Sequence, residues 1–221
     1  MIGVALSLWA QGRVNSTFSR YSRVRSMTGM TGAEAARRLL NAQGIYDVTV
    51  QQIAGELTDH YDPRTKTVNL SQSVYGATSV AAIGVAAHEC GHAMQDNEGY
   101  APLRFRSALV PVANFGSSLS WPLILLGLVF GGLGSPLVEI GILMFSLAVL
   151  FQLVTLPVEY NASARAVRLL DAQGILAGEE VNGTRKVLNA AALTYVAAAA
   201  TSILQLLRLI ILFGGRNRRD R

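Results

Sequence analysis

His88-Glu89-Cys90-Gly91-His92 carries the clearest chemistry in the chain, set between Val85-Ala86-Ala87 and Ala93-Met94. Two histidines at i and i+4 on a helix share a face one turn apart, so their imidazoles can fill two positions of a tetrahedral zinc. That leaves room for a third protein ligand and a water. Glu89 follows the first ligand and can reach the water without binding the metal, the place of a general base. The chain has three histidines, and two of them are here.

The third ligand has two sources. His60 is the remaining histidine, in a strand or loop before the motif. A carboxylate beyond a hairpin is the alternative, and Glu159 is the best placed: it is expected to open a helix that can return to the motif helix. A glutamate after a proline at a membrane edge is also commonly just a solvated helix N-terminus, favoured by the dipole. Cys90 points roughly away from His88 on a helix and reads as a small buried residue. As the lone cysteine it excludes an intramolecular disulfide.

Local signals frame the motif. Thr31-Gly32-Ala33-Glu34 is a capping box, predicting a helix through Gln43 that stops at Gly44. Residues 48–54 and Thr67 to Leu70 read as strands, separated by the turn Asp62-Pro63-Arg64-Thr65. The motif helix is expected from near Ser79 to about Gln95. Arg38 to Ile45 nearly repeats as Arg168 to Ile175. Both copies read as one helix-end solution, a glycine cap followed by an isoleucine that packs back on the last turn.

The composition is that of a membrane protein: 51% hydrophobic and 15% charged residues, with a mean hydropathy of +0.34. At 221 residues it holds one domain plus membrane spans. Between 107 and 158 the only charge is Glu139, and a second apolar stretch from Leu188 to Phe213 is interrupted only by Arg208. Such segments reach the roughly 20 residues that span hydrocarbon. Spans are expected over Val112–Phe130 and Leu137–Leu156, with Pro157 breaking the second. The expected organisation is a partial anchor over 1–10, a catalytic part over 11–106, a transmembrane hairpin over 107–156, a second catalytic part over 157–195, and an apolar helix with a basic tail over 196–221.

The net charge of +5 comes largely from Arg13, Arg20, Arg23 and Arg25 and from the tail Arg216 to Arg221. Cations flanking apolar spans follow the positive-inside rule, which argues against nucleic acid as a partner and puts the catalytic parts on the cytoplasmic side. The last apolar segment would then carry the arginine tail across, against the same rule.

An ordered set of segments makes the chain resemble the YugP-like family of bacterial membrane zinc metallopeptidases, relatives of the HtpX-type proteases. The set is Met30 to Glu34, Asp59-His60-Tyr61-Asp62-Pro63, Val74-Tyr75, Ala86 to Ala93, Leu156 to Ala166 and Ala192-Leu193-Thr194-Tyr195. The resemblance implies one zinc on His88, His92 and Glu159, with Glu89 activating water. It departs in two places. Family members usually start with a complete spanning helix, and HtpX-type relatives carry an aspartate four residues after the ligand glutamate, where this chain has Ser163. A serine would orient a ligand histidine only weakly.

The expected fold is mainly α with a small β element, an α+β zincin-like catalytic domain with transmembrane helices. The expected function is a membrane-bound zinc endopeptidase of the plasma membrane, acting on membrane or membrane-proximal polypeptides. Zinc would bring the pKa of its water toward ~7, with Glu89 as base. Tyr195, His60 and Arg165 are the candidates for stabilising the oxyanion. Val68, Asn69 and Leu70 are expected to form an exposed edge to which substrate adds as a strand. The alternative function is a non-proteolytic zinc-binding membrane scaffold.

Overall fold

The computed structural model of the protein describes residues 2–132 and 135–213. The basic tail, Met1 and part of the glycine-rich turn lie outside them. In chain order the elements are α1 (Ile2–Ser22), α2 (Gly32–Ala42), β1 (Thr49–Ile53), β2 (His60–Asp62), β3 (Thr67–Ser71), α3 (Gln72–Tyr75), α4 (Val80–Asn97), α5 (Ala101–Gly131), α6 (Pro136–Ala172) and α7 (Glu179–Phe213). The fold is mainly α with one small sheet, as the sequence predicts.

Two compact units divide the chain. One comprises residues 9–103 and 158–194, the other 1–8, 104–157 and 195–221. The first holds the sheet and α2–α4. Its core is Leu39, Leu40, Val68, Leu70, Val80, Ile83, Leu170, Ile175 and their alanine neighbours. The capping box forms as predicted: Thr31 Oγ1 accepts from the Glu34 amide at 3.2 Å, and the Thr31 amide donates to Glu34 Oε2 at 2.8 Å. Both repeat copies end as expected, with Gly44 at φ +69° and Gly174 at φ +60°. In each, the following isoleucine amide returns to a leucine carbonyl at 3.0 Å. Arg38 of the first copy donates to the Gln173 carbonyl of the second at 2.8 Å, so the two helix ends brace each other.

The sheet order is β1-β3-β2, with β1 parallel and β2 antiparallel to β3. Val68, Asn69 and Leu70 are therefore on the central strand, not on an exposed edge. The polar residues of β3 give an alternating pattern because cross-strand partners satisfy them, not because water does. Gln51 Nε2 donates to Asn69 Oδ1 at 2.7 Å, and the Thr49 and Thr67 hydroxyls meet at 3.3 Å. Ser71 donates from its amide and hydroxyl to Asp59 at 2.8 to 3.1 Å.

The second unit contains the apolar lengths of α5, α6 and α7, each long and apolar enough to cross a membrane. Small residues bring α5 and α6 together: a Cβ on Gly116 would lie 2.7 Å from the Met144 carbonyl, and one on Gly141 2.9 Å from the Ser120 carbonyl. Pro157 does not end a helix; α6 runs through it, as α5 runs through Pro111 and Pro122. A proline removes one backbone hydrogen bond, whereas ending the helix in an apolar setting strands several polar groups. Glu159 thus sits inside α6 rather than at a helix start.

Replacing Thr31 with Ala removes one arm of the capping box. It is expected to lower stability by about 1 kcal/mol, read as a lower thermal midpoint of the detergent-solubilised protein.

Candidate metal centre

α4 begins at Ser79, whose hydroxyl accepts from the Ala82 amide at 3.2 Å. It is apolar on nearly every face, as befits a helix enclosed by protein. Gly91, inside the motif, is what lets α6 come close. A Cβ there would lie 2.6 Å from the Ala162 carbonyl oxygen and 3.0 Å from its Cα. At this approach Glu159, 2% exposed, is brought beneath both histidines.

Glu159 Oε2 lies 3.2 Å from His88 Nε2 and 3.6 Å from His92 Nε2. The two rings stand edge to face with centroids 4.8 Å apart. Ligand atoms at about 2.0–2.1 Å from a tetrahedral zinc are about 3.3–3.4 Å from one another. One donor atom from each of the three side chains falls within 4.8 Å of the other two. Two imidazoles and a carboxylate at these separations fit a divalent metal such as zinc. Two histidines and a glutamate are a donor set of catalytic zinc sites, and one that also serves iron.

The other ring nitrogens are held from behind. Ser163 Oγ lies 3.1 Å from His88 Nδ1, so the serine does occupy the orienting position. His92 Nδ1 donates to Gln95 Oε1 at 3.1 Å, and the Gln95 amide donates to the Val158 carbonyl and to Asn161 Oδ1, each at 2.9 Å. Arg165 Nε also donates to Asn161 Oδ1, at 2.7 Å, and its Nη1 to Glu98 at 2.6 Å. Gln95 is fully buried, and a metal-ligand histidine held in this way has its tautomer and ring angle fixed. Burial alone would lower the His92 pKa. The Glu159 hydrogen bond and the charges of Glu89 and Glu159 outweigh it and raise the value. That same surplus of negative charge favours a cation between the side chains.

Glu89 is buried beside His88. Cys90 is buried and turned away, its Sγ donating to the Ala36 carbonyl at 3.6 Å, and burial pushes its thiol pKa far up. His60 lies on β2, with Nδ1 2.9 Å from the Thr58 carbonyl and Nε2 3.3 Å from Asn69 Nδ2. It is not grouped with the other two histidines. Arg165 braces Asn161 and Glu98 and stacks on Tyr100, with 5.8 Å from Cζ to the ring centroid. The structure thus gives it a bracing role behind His92. Tyr195 is a half-buried residue of α7. Gln95 and Glu98 carry no sequence signal beyond Gln95 lying three residues after the second motif histidine, on its helical face.

Residues 1–214 match the family described as "Putative neutral zinc metallopeptidase". The chain belongs to this family. It is 50% identical over 210 residues to a Bacillus subtilis (strain 168) protein named "Putative membrane protease YugP", covering 95% of this chain and 92% of that one. No solved structure matches the chain. With a relative named for the membrane and three helices able to cross one, this family member is membrane-associated.

Two substitutions test how the centre is held. Gly91→Ala forces α4 from α6 at a cost of about 1–3 kcal/mol and is expected to reduce bound zinc, measured by elemental analysis, with helical content retained. Gln95→Leu is expected to weaken zinc affinity about 10–100-fold, read by competition against a chelating indicator.

Proposed function

We propose that the protein is a membrane-bound zinc-dependent endopeptidase with one zinc per chain on His88, His92 and Glu159. The observation that carries this reading is the convergence of these three side chains with a buried carboxylate, Glu89, in the same helical turn as the pair. Zinc bound there supplies a Lewis acid for the peptide carbonyl and acidifies water toward pKa ~7. Glu89 takes the proton from the attacking water on a carboxylate oxygen and passes it to the nitrogen of the leaving amine. Among the described residues the Glu89 carboxylate makes no hydrogen bond or ion pair, so its lone pairs are available for that proton. His92, backed by Gln95, and His88, backed by Ser163, keep their Nε2 atoms directed at the centre throughout.

With β3 enclosed, β1 and β2 are the edges of the sheet, and β2 is the one suited to an extended substrate near the motif helix. It packs beside α4, and Tyr61 Oη donates to Asp96 of that helix at 2.8 Å. A peptide adding to β2 would run next to the motif helix. The family relationship and the apolar helices support membrane or membrane-proximal polypeptides as substrates. The arginines flanking the 112–156 hairpin support a cytoplasmic active site.

The test compares wild type with Glu89→Gln and Glu159→Ala, each assayed for zinc and for cleavage of an unfolded membrane polypeptide. The expected result is zinc kept and cleavage lost by at least about 100-fold in Glu89→Gln, and both lost in Glu159→Ala. Unchanged cellular function in Glu89→Gln would instead favour a zinc-bearing scaffold, and unchanged zinc in Glu159→Ala would remove Glu159 as a ligand.

A further inference from the structure

Away from the metal centre, α1 and α7 face each other across an open cavity of about 700 Å³. From α1 it is lined by Arg13, Ser16, Thr17 and Arg20, and from α7 by Lys186 and Asn189, with Tyr160 of α6 beside them. The α1 set follows i, i+3, i+4, i+7 spacing and so presents one face of that helix. Gly183 sets the approach one turn before Lys186: a Cβ there would lie 2.7 Å from the Tyr21 ring.

The lining carries three cations and no carboxylate. Among the described residues the Arg13 guanidinium and the Lys186 ammonium have no ion-pair or hydrogen-bond partner, and Arg20 only stacks on Tyr21 at 5.7 Å. Converged cations repel one another, so a site of this kind is stabilised by an anion. The hydroxyls and amide around them supply hydrogen bonds to its remaining oxygens. The two helices that carry the cations also become apolar next to the cavity. Residues 2–10 precede Arg13 without a charge, and after Lys186 the next charge on α7 is Arg208; on α6 the uncharged run 140–158 ends at Glu159, the residue before Tyr160. Along α1 and α7 the cations thus stand where an apolar length begins, the level at which phospholipid headgroups meet a membrane protein.

We propose that this cavity is a phosphate-binding site, taking the phosphodiester of an anionic phospholipid headgroup or a free phosphate ion. Arg13, Arg20 and Lys186 neutralise the charge, and Ser16, Thr17, Asn189 and Tyr160 orient the oxygens. The zwitterionic choline headgroup is disfavoured because its own cation must enter the same positive field. The site is independent of zinc and of Glu89.

The test is native mass spectrometry of the full detergent-solubilised chain titrated with short-chain phosphatidylglycerol, phosphatidylcholine or inorganic phosphate. Phosphatidylglycerol is expected to bind in preference to phosphatidylcholine. Arg13→Gln/Lys186→Gln is expected to weaken it on the order of 25-fold, about fivefold for each cation lost. Arg64→Gln, which removes an exposed cation outside the cavity, leaves binding unchanged, and Arg13→Lys/Lys186→Arg restores most of it. Inorganic phosphate binding as tightly as the lipid, with the same dependence on Arg13 and Lys186, assigns the site to free phosphate. Equal binding of the two lipids together with no phosphate binding overturns the proposal, as does a double variant that binds like wild type while keeping the wild-type thermal midpoint in neutral detergent.

Discussion

The candidate metal centre depends on one steric constraint: α4 and α6 must touch backbone to backbone at Gly91 and Ala162. His88 and Glu159 are separated by 71 positions in the chain, and no local preference brings them together. A side chain at position 91 would hold the helices apart by more than the tolerance of a coordination shell, within which ligand distances vary by only about 0.2 Å. Glycine inside a helix costs about 1 kcal/mol relative to alanine. Here that cost is offset by a contact that alanine could not make.

Once the helices meet, polar groups fix their rotation and their relative height. Gln95 reaches from α4 to the Val158 carbonyl and to Asn161, two points on α6 that flank Glu159. Arg165 and Glu98 close the same network from the solvent side, where the arginine holds the Glu98 carboxyl below its usual range. A fully buried amide with its oxygen and nitrogen both engaged tolerates little sliding, because each lost partner leaves a desolvated polar atom. The histidines therefore inherit their orientation from a helix–helix clamp rather than from packing alone.

The sequence makes some of this legible and conceals the rest for definite reasons. The capping box, the two glycine stops and the histidine spacing are local, and each appears where its residues predict. β3 misleads because a central strand whose polar side chains are satisfied by Gln51, Thr49 and Asp59 has the same alternation as a half-exposed one. Pro157 misleads because its helix-breaking tendency belongs to segments that can exchange backbone hydrogen bonds for water. Gln95 and Asn161 are common residues whose role exists only once α4 and α6 are docked. Ser163 stands where an aspartate would be expected, and only the 3.1 Å contact with His88 gives it a task.

Cys90 sits in the middle of the motif, yet its sulfur is sealed on the far side of α4 against the Ala36 carbonyl. The donors that converge there are nitrogen and oxygen alone, and the chain's one sulfhydryl, its pKa pushed up by burial, is out of reach. A centre of this composition has no atom that peroxide or a disulfide reagent can take from the ion. An ion held there would lack the thiolate ligand through which oxidants strip metal from sulfur-bearing sites.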